Sequence, residues 1–393
     1  MKNIALRAFV FTVILSVILV SFASCKKEGQ INVSLETALT STVKEAPINT
    51  WGLGIGYPTL IELQHSGENN GKLIASFEIA DSGLRGKPTS FRIMESSDGG
   101  ESWSEIGEAY EKLDTSIEAC WNPHLFELPE ALGDMPEGTL LLAGCSIDPA
   151  QSTKSHISVW KSLDCGKTWE QISVIAEGGG LEEGVWEPYL YYEDGYLYCV
   201  YSDDSDKDHD QKVVYERSTD GKTWQDYTEI VAADKADYRP GIGVIVKMGN
   251  GKYFIVYEIF GDWDGCPIYY KTTDDITKWD PSDVGKPLTA GKYAIGSAPW
   301  CAWTPFGGEC GTLVVTAKYG DETPNKILVS SDYGETFVAL ENPLPHPEDT
   351  GYGYSASLFF SEDGKTLFYA NNVEGKNGKS KIEFAKIKLC EEK

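Results

Sequence analysis

The chain has 393 residues, with 34 Lys+Arg against 60 Asp+Glu and a formal charge of −26. That balance argues against nucleic acid, whose phosphates need a basic surface, and against polyanionic substrates unless arginines are concentrated locally. At 41% hydrophobic residues there is ample material for a core, so wholesale disorder is excluded, and the length allows one large domain or two ordinary ones. Eleven Trp and 21 Tyr either fill a β-rich core or line a sugar site.

The chain begins with an address. Met1–Arg7 carries Lys2 and Arg7 and no acid, Ala8–Ala23 is almost wholly apolar, and the run ends Ser21-Phe22-Ala23-Ser24-Cys25. A basic start, a short apolar stretch and small residues before a break form a secretory signal. The Cys after Ala23-Ser24 resembles a bacterial lipobox, with Phe22 where that motif usually has Leu. The resemblance implies cleavage before Cys25, lipid on its thiol, and a membrane contact through that anchor. The expected location is the bacterial cell envelope, periplasmic or on the outer-membrane surface. Losing residues 1–24 takes away Lys2 and Arg7 and leaves a charge of −28. Residues 25–47 are polar, lack strong periodicity and are expected to be a tether.

From residue 48 onward, alternation and turn signals give repeated units. In the first, Thr59–Leu63 and Leu73–Glu78 form a hairpin, and Ser90–Glu95 leads into Ser96-Ser97-Asp98-Gly99-Gly100-Glu101-Ser102-Trp103. The second has His124–Leu128, Thr139–Cys145 and Ile157–Ser162, then Ser162-Leu163-Asp164-Cys165-Gly166-Lys167-Thr168-Trp169. The third has Pro188–Tyr192, Tyr196–Tyr201 and Lys212–Arg217, then the shorter Ser218-Thr219-Asp220-Gly221-Lys222-Thr223-Trp224. The fourth has Gly243–Lys247, Tyr253–Glu258 and Ile268–Thr272, with a decayed copy from Thr273-Asp274 to Trp279. The fifth has Pro299–Thr304, Thr312–Lys318 and Lys326–Ser330, then Ser330-Ser331-Asp332-Tyr333-Gly334-Glu335-Thr336-Phe337. The sixth has Ser355–Phe360, Thr366–Tyr369 and Ile382–Leu389, with a partial copy at Ser361–Thr366.

The aromatic ends of this motif at 103, 169, 224, 279 and 337 give a period of 55 to 66 residues. Such a period means one supersecondary unit per repeat, stacked to bury a shared core. Asp and Ser/Thr side chains bond nearby backbone N–H groups, Gly supplies a positive φ, and the terminal aromatic packs between sheets. Turn chemistry therefore explains these aspartates without catalysis. The motif resembles the Asp-box of sialidase-like β-propellers. The expected fold is all-β: a six-bladed β-propeller of four-stranded antiparallel blades, one domain over residues 48–393.

Blade geometry sorts the residues by face. First-strand starts share a face with second-strand ends, and the Asp-boxes lie on the other. The first set reads Tyr57 and Glu78, then Asn122, His124 and Cys145, Glu187 and Tyr201, Arg239 and Glu258, Trp300 and Lys318, Tyr352 and Tyr354. Carboxylates and aromatics at a ring's mouth suit a carbohydrate. Glu187, in Val185-Trp186-Glu187-Pro188, and Glu258, ending Phe254–Glu258, stand on neighbouring blades. Glycoside hydrolysis needs two carboxyls, one protonated and one ionised. Trp186 is expected to desolvate Glu187 and make it the acid/base, and Arg239 to keep Glu258 ionised as the nucleophile. The same carboxylates also serve as solvated or structural strand ends on any surface.

Eight cysteines follow Cys25, with no CxxC and no metal spacing. Cys301 and Cys310 would sit about 10 Å apart along a hairpin, beyond disulfide reach, so mostly buried free thiols are expected. The run Asp203–Asp210 has oxygens for Ca²⁺ but reads first as a solvated loop. Trp51, Trp263, Trp300 and Trp303 are stacking platforms or core. No cofactor or metal site is expected, and the chain is expected to be a monomer.

Over nearly the whole chain the boxes and six units resemble the sialidase superfamily. Sialidases hold the sugar carboxylate with three arginines at the starts of blades one, four and five. Here those positions read Gly56-Tyr57-Pro58, Arg239-Pro240 and Gly296-Ser297-Ala298-Pro299-Trp300, with one arginine among them. Only Arg85, Arg92, Arg217 and Arg239 follow the signal, and Tyr cannot replace a bidentate clamp. The chain is more similar to the exo-arabinanases of glycoside hydrolase family 93. The resemblance lies in Tyr57-Pro58, Gly71-Lys72-Leu73 to Glu78, Trp186-Glu187-Pro188, Tyr238-Arg239-Pro240-Gly241, Gly251-Lys252-Tyr253 to Glu258, and Trp303-Thr304-Pro305. It implies a retaining enzyme releasing arabinobiose from linear α-1,5-arabinan, with Glu187 and Glu258 catalytic. A site tyrosine matches Tyr352 or Tyr354. Tyr57, Glu78, Asn122, His124, Arg239, Trp300 and Lys318 are the candidate substrate contacts. An atypical sialidase or other exo-glycosidase, and a non-catalytic glycan-binding lipoprotein, are the competing readings.

Overall fold

The computed structural model describes residues 31–47, 54–79, 89–117, 119–147, 153–234, 237–261, 266–321, 325–346, 353–376 and 379–392. Six four-stranded antiparallel sheets succeed one another as the blades of a β-propeller. Blade 1 comprises Ile55–Glu62, Leu73–Ile79, Phe91–Ser96 and Ser104–Ala109. Blade 2 comprises Ala119–Glu127, Leu140–Ile147, Ser155–Ser162 and Glu170–Gly178, and blade 3 Val185–Glu193, Tyr196–Asp203, Lys212–Ser218 and Gln225–Val231. Blade 4 has Arg239–Lys247, Tyr253–Phe260, Ile268–Thr273 and Lys286–Pro287; blade 5 has Trp300–Thr304, Thr312–Thr316, Lys326–Ser330 and Val338–Glu341. Blade 6 takes Ser357–Phe360, Thr366–Glu374 and Lys379–Glu391 from the C-terminal side, and its outer strand, Val33–Pro47, from the N-terminal side.

That outer strand corrects the expected tether. It pairs from Val33 against Glu391 to Pro47 against Lys379 and ties the two ends of the chain into one sheet. Only Val33, Val43 and Ala46 along it are buried. An outermost strand needs little apolar surface, so its Ser, Thr and Glu content hides the alternation that marks inner strands.

The core lies between neighbouring sheets. Leu141, Ile157 and Val159 of blade 2, for example, pack with Leu190, Leu197 and Val214 of blade 3. The inner strands are stitched around the axis. The Leu60 N–H donates to Ser357 Oγ, Leu125 N–H to Thr59 Oγ1, and Leu190 N–H to His124 Nδ1.

The Asp-boxes form as the motif dictates. In blade 1 the Ser96 hydroxyl accepts from Gly100 N–H at 2.9 Å, and Asp98 accepts from the N–H of Ser102 at 3.0 Å and from its hydroxyl. Gly100 sits at φ +95°, and a Cβ there would lie 2.1 Å from the ring of Phe384 in the adjacent blade. Trp103, Trp169 and Trp224 lean against the intersheet cores.

The first strands of blades 1 to 4 start earlier than the sequence suggests, and those of blades 5 and 6 one or two residues later. In blades 1 to 4 the ladder runs through a bulge, with register breaks at Gly56/Thr59, Trp121/His124, Trp186/Tyr189 and Gly241/Val244. Each bulge holds a non-glycine residue at positive φ: Tyr57 (46°), Asn122 (54°), Glu187 (59°) and Ile242 (52°). Ala298 (48°) and Ser355 (57°) occupy the matching places of blades 5 and 6. Proline follows four of these six residues, which makes each look like a strand boundary in sequence.

Candidate active site

The four bulges and the left-handed Ala298 and Ser355 face one another across the axis, on the side opposite the Asp-boxes. Left-handed backbone at a non-glycine residue costs about 1 kcal/mol or more and persists where the surroundings enforce it. Here the enforcing contact recurs between blades. A side chain at the end of one second strand accepts the N–H of the left-handed residue in the next blade. Glu78 Oε2 accepts Asn122 N–H at 3.0 Å, and Glu258 Oε2 accepts Ala298 N–H at 2.6 Å. Ser202 Oγ accepts Ile242 N–H at 3.1 Å; within blade 6, Asn372 Oδ1 accepts the N–H of Tyr354, next to the left-handed Ser355, at 3.0 Å.

These residues surround a cavity of about 470 Å³, lined by Tyr57, Glu78, Asn122, Glu187, Arg239, Glu258 and Tyr354 among others. Seven of the sequence-predicted residues thus converge on it. Tyr352, the alternative to Tyr354, lies outside the described residues, as do Cys25, Trp51 and Trp263. The predicted second-strand end Tyr201 is one residue off. Its hydroxyl turns away to Glu216, and Ser202 takes the inward position.

Glu187 is bonded through both carboxylate oxygens. Its Oε2 accepts the Ser202 hydroxyl at 2.9 Å and Ile242 N–H at 3.2 Å, and its Oε1 receives the Tyr57 hydroxyl at 3.4 Å. Desolvation, reinforced by the nearby Glu258 charge, pushes its carboxyl up to about 8. Glu258 is also raised by desolvation, but the Ala298 N–H and the Lys318 ammonium pull the other way. Desolvation and the Glu258 charge thus favour the protonated form of Glu187, whereas the donors around Glu258 favour its ionised form. Glu78 is a third acid in the cavity, pushed by burial up to about 7. Tyr57 and Tyr354 meet edge to face at 5.1 Å, and burial raises both phenols, so they remain neutral donors.

Three predicted contacts sit elsewhere. His124 and Trp300 lie deeper on the axis, packed with Tyr189 at ring distances of 4.4 to 5.6 Å. They line a separate cavity of about 270 Å³ that includes Glu62 and Glu127, at the far ends of first strands, and His65 in the loop beyond Glu62. Two residues beyond a left-handed residue, a side chain has descended one layer into the channel. Burial drives His124 down to about 3, so it is neutral. Lys318 is buried behind Tyr354, its ammonium 5.2 Å from that ring. Arg239 corrects the expected partnership with Glu258: it bonds Asp204 Oδ2 and Gln211 Oε1, each at 2.7 Å.

Several cavity residues were missed. Trp121 is one of them: it stacks at 6.3 Å on Trp186, the residue expected beside Glu187, and both line the wall. They precede Asn122 and Glu187 and are 65 residues apart like them, so the repeat arithmetic contained the signal. Leu181 and Phe260 are 47% and 60% exposed at the rim and carry no sequence signature. Asp204 was concealed in the acidic run. That run is internally bonded: Asp206 pairs with Lys212 and His209, and Asp203 accepts from Ser205 and Tyr227. Among the described residues no cluster of three or more His, Cys, Asp or Glu side chains could hold a metal ion. Seven cysteines there are free thiols, five of them buried.

A family model described as a BNR repeat-like domain matches residues 55–259. Among solved structures, the α-L-arabinanase of Penicillium chrysogenum complexed with arabinobiose is 30% identical, with a TM-score of 0.76, covering 89% of this chain and 98% of that one. The α-L-arabinofuranosidase of Fusarium graminearum, from glycoside hydrolase family 93 and also bound to arabinobiose, is 27% identical at a TM-score of 0.76 with the same coverage. A Hadza microbial sialidase, 15% identical at a TM-score of 0.53 over 86% of this chain and 66% of that one, shares the fold. No curated protein matches the sequence.

Proposed function

We propose that this chain, which belongs to the BNR repeat-like family of sialidase-superfamily propellers and groups with glycoside hydrolase family 93, is a retaining glycosidase of arabinan-type glycans. It is an exo-acting glycoside hydrolase. The observation that carries the glycosidase reading is that Glu187 and Glu258 line one cavity in different surroundings, Glu187 bonded to the Ser202 and Tyr57 hydroxyls and Glu258 to the Ala298 N–H; the retaining course follows from the likeness to family 93. In the first half-reaction Glu187 gives its proton to the glycosidic oxygen as that C–O bond breaks. Glu258 attacks the anomeric carbon and forms a glycosyl ester. In the second, Glu187 takes a proton from water, the hydroxyl adds to the anomeric carbon, and the ester bond to Glu258 breaks. Tyr57 holds Glu187 in place through its hydroxyl. Tyr354 stands beside Tyr57, ready to donate to the developing charge.

The neutral furanoside fits an acidic protein whose one cavity arginine is already paired. We also read residues 1–24 as an export signal and Cys25 as the lipid attachment point, which would hold the enzyme at the bacterial envelope facing oligosaccharides or polysaccharides. The test is incubation of the purified chain with linear α-1,5-arabinan, arabinooligosaccharides, sialyllactose and a mixed glycan panel. Mass analysis reads the products, and proton NMR reads the anomer first released. Arabinobiose with retained configuration is expected. Sialic acid release dependent on Arg239, or full arabinan activity in both Glu187→Gln and Glu258→Gln, would overturn the assignment.

A further inference from the structure

One charged pair in the cavity has no part in that chemistry. Asp204 follows the second strand of blade 3, and its side chain is 0% exposed. Its Oδ2 accepts from Arg239 Nη2 at 2.7 Å and from Trp186 Nε1 at 3.2 Å. Its Oδ1 is buried with no hydrogen-bond partner, although the residue lines the cavity. A buried carboxylate oxygen normally has a donor, and one without it marks a place where a partner is to arrive. The donors already in the protein are committed to the other oxygen.

Arg239 is equally committed. Besides Asp204, it bonds Gln211 Oε1 at 2.7 Å through Nη2 and the Asp210 carbonyl at 3.2 Å through Nη1. A guanidinium binds a carboxylate best as a fork of two parallel N–H bonds. Here the fork is split between three acceptors of the protein, and the charge is neutralised by the aspartate. The pair spans blades 3 and 4 and is anchored by Trp186, the residue preceding Glu187.

We propose that Asp204 determines specificity: its free oxygen accepts a hydroxyl of the bound sugar, and its grip on Arg239 bars anionic sugars from the cavity. The inference rests on the glycosidase reading above. A hydroxyl supplies a directional donor of the kind Oδ1 lacks, and losing such a buried match discriminates strongly. A carboxylate placed there would instead meet Asp204 itself, a like charge that it cannot displace from Arg239 without cost.

The experiment compares wild type, Asp204→Asn and Asp204→Ala on linear arabinotriose, with galacturonate as a competing anionic sugar and thermal melting as the folding check. Asp204→Ala is expected to raise KM by about tenfold or more with kcat changed far less, and Asp204→Asn to show a smaller rise. Galacturonate should inhibit Asp204→Ala, whose Arg239 is released, and not wild type. If Asp204→Ala does not fold, Asp204→Asn, which removes the charge that holds Arg239, carries both readouts. Wild-type KM in a folded Asp204 variant, or galacturonate inhibition unchanged from wild type, would overturn this proposal alone. A wild-type enzyme that cleaves no arabinooligosaccharide would overturn the hydrolytic reading and this inference with it.

Discussion

The two faces of the propeller hold the same residue types in opposite environments. On the Asp-box face, each acid is surrounded by donors a few residues away. The Ser102 hydroxyl and N–H hold Asp98 down to about 2, and the Thr277 hydroxyl with Lys278 does the same for Asp275. On the other face, the acids end second strands or sit in strained bulges, and desolvation dominates. Glu78 rises to about 7 and Glu187 to about 8, while Glu258 and Asp204 are raised as well. Acids satisfied by their own turn stabilise the fold. Acids satisfied across blades, and only in part, are left with capacity for a ligand.

The contrast breaks most visibly by substitution. Glu187→Gln and Glu258→Gln should each lower kcat by about 10³-fold or more, as expected when one member of a paired catalytic machinery is lost. Both should fold. Asp164→Ala, in the blade 2 box, should leave kcat/KM within about twofold. An Asp164 variant as inactive as the glutamate variants would erase the distinction between the faces.

The raised acids also set pH behaviour. Glu187 must be protonated to act as the acid, so activity should fall as pH rises through about 8. Glu258 must be ionised, so activity should also fall on the acid side. Replacing Glu258 by Gln removes the like charge and should lower the Glu187 titration, which carbon NMR of the labelled carboxyl would read. Stability gives an independent check. The folded Glu187 lies above its ordinary value of 4.5. Its contribution is therefore fully present below pH 4.5 and is lost as pH rises through about 8. Glu187→Gln should be more stable than wild type at pH 8 to 9, on the order of 1–3 kcal/mol, and indistinguishable near pH 4.

How much of this was legible depends on the range of the signal. The boxes are local: Ser162, Asp164, Gly166 and Thr168 bond one another within one turn, so sequence spacing displays them. Counting their period gave the blades, and blade geometry placed Glu187 and Glu258 on one face. The partner of Arg239 was not legible, because Asp204 is 35 residues away and looks like its acidic neighbours. The depth of His124 was hidden by the bulge at Asn122, and that of Trp300 by the left-handed backbone at Ser297 and Ala298. A bulge adds a residue to one strand and breaks the alternation from which depth is read. The outer strand Val33–Pro47 was hidden for another reason. Its partner lies at the far end of the chain, and its burial is too slight to leave a pattern.

The box acids should show their effect in stability instead. Asp164 accepts the Thr168 N–H at 2.9 Å and its hydroxyl at 2.7 Å. Asp164→Ala should lose about 1–2 kcal/mol by denaturant titration, comparable to removing a helix cap. A loss near zero would mean that the turn is held by its Gly and aromatic residues alone.

The smallest effect tests the boundary between the two regions. His124 lies on the axis, beneath the Asn122 bulge and above the second cavity, where its Nδ1 accepts Leu190 N–H at 3.0 Å. Burial holds it neutral far above its titration near 3. A histidine touching substrate would place a limb in the activity profile near its ordinary value of 6.5 and raise KM when replaced. A histidine serving only the inner strands would do neither. His124→Asn keeps an acceptor where Nδ1 stood and loses part of the ring packed on Tyr189 and Trp300. It should cost about 1 kcal/mol of stability, leave kcat/KM within about twofold, and leave the profile between pH 5 and 7 unchanged. A KM increase beyond about fivefold with normal melting would mean that the glycan reaches past the ring of bulges into the channel, and the boundary would have to be redrawn one layer deeper.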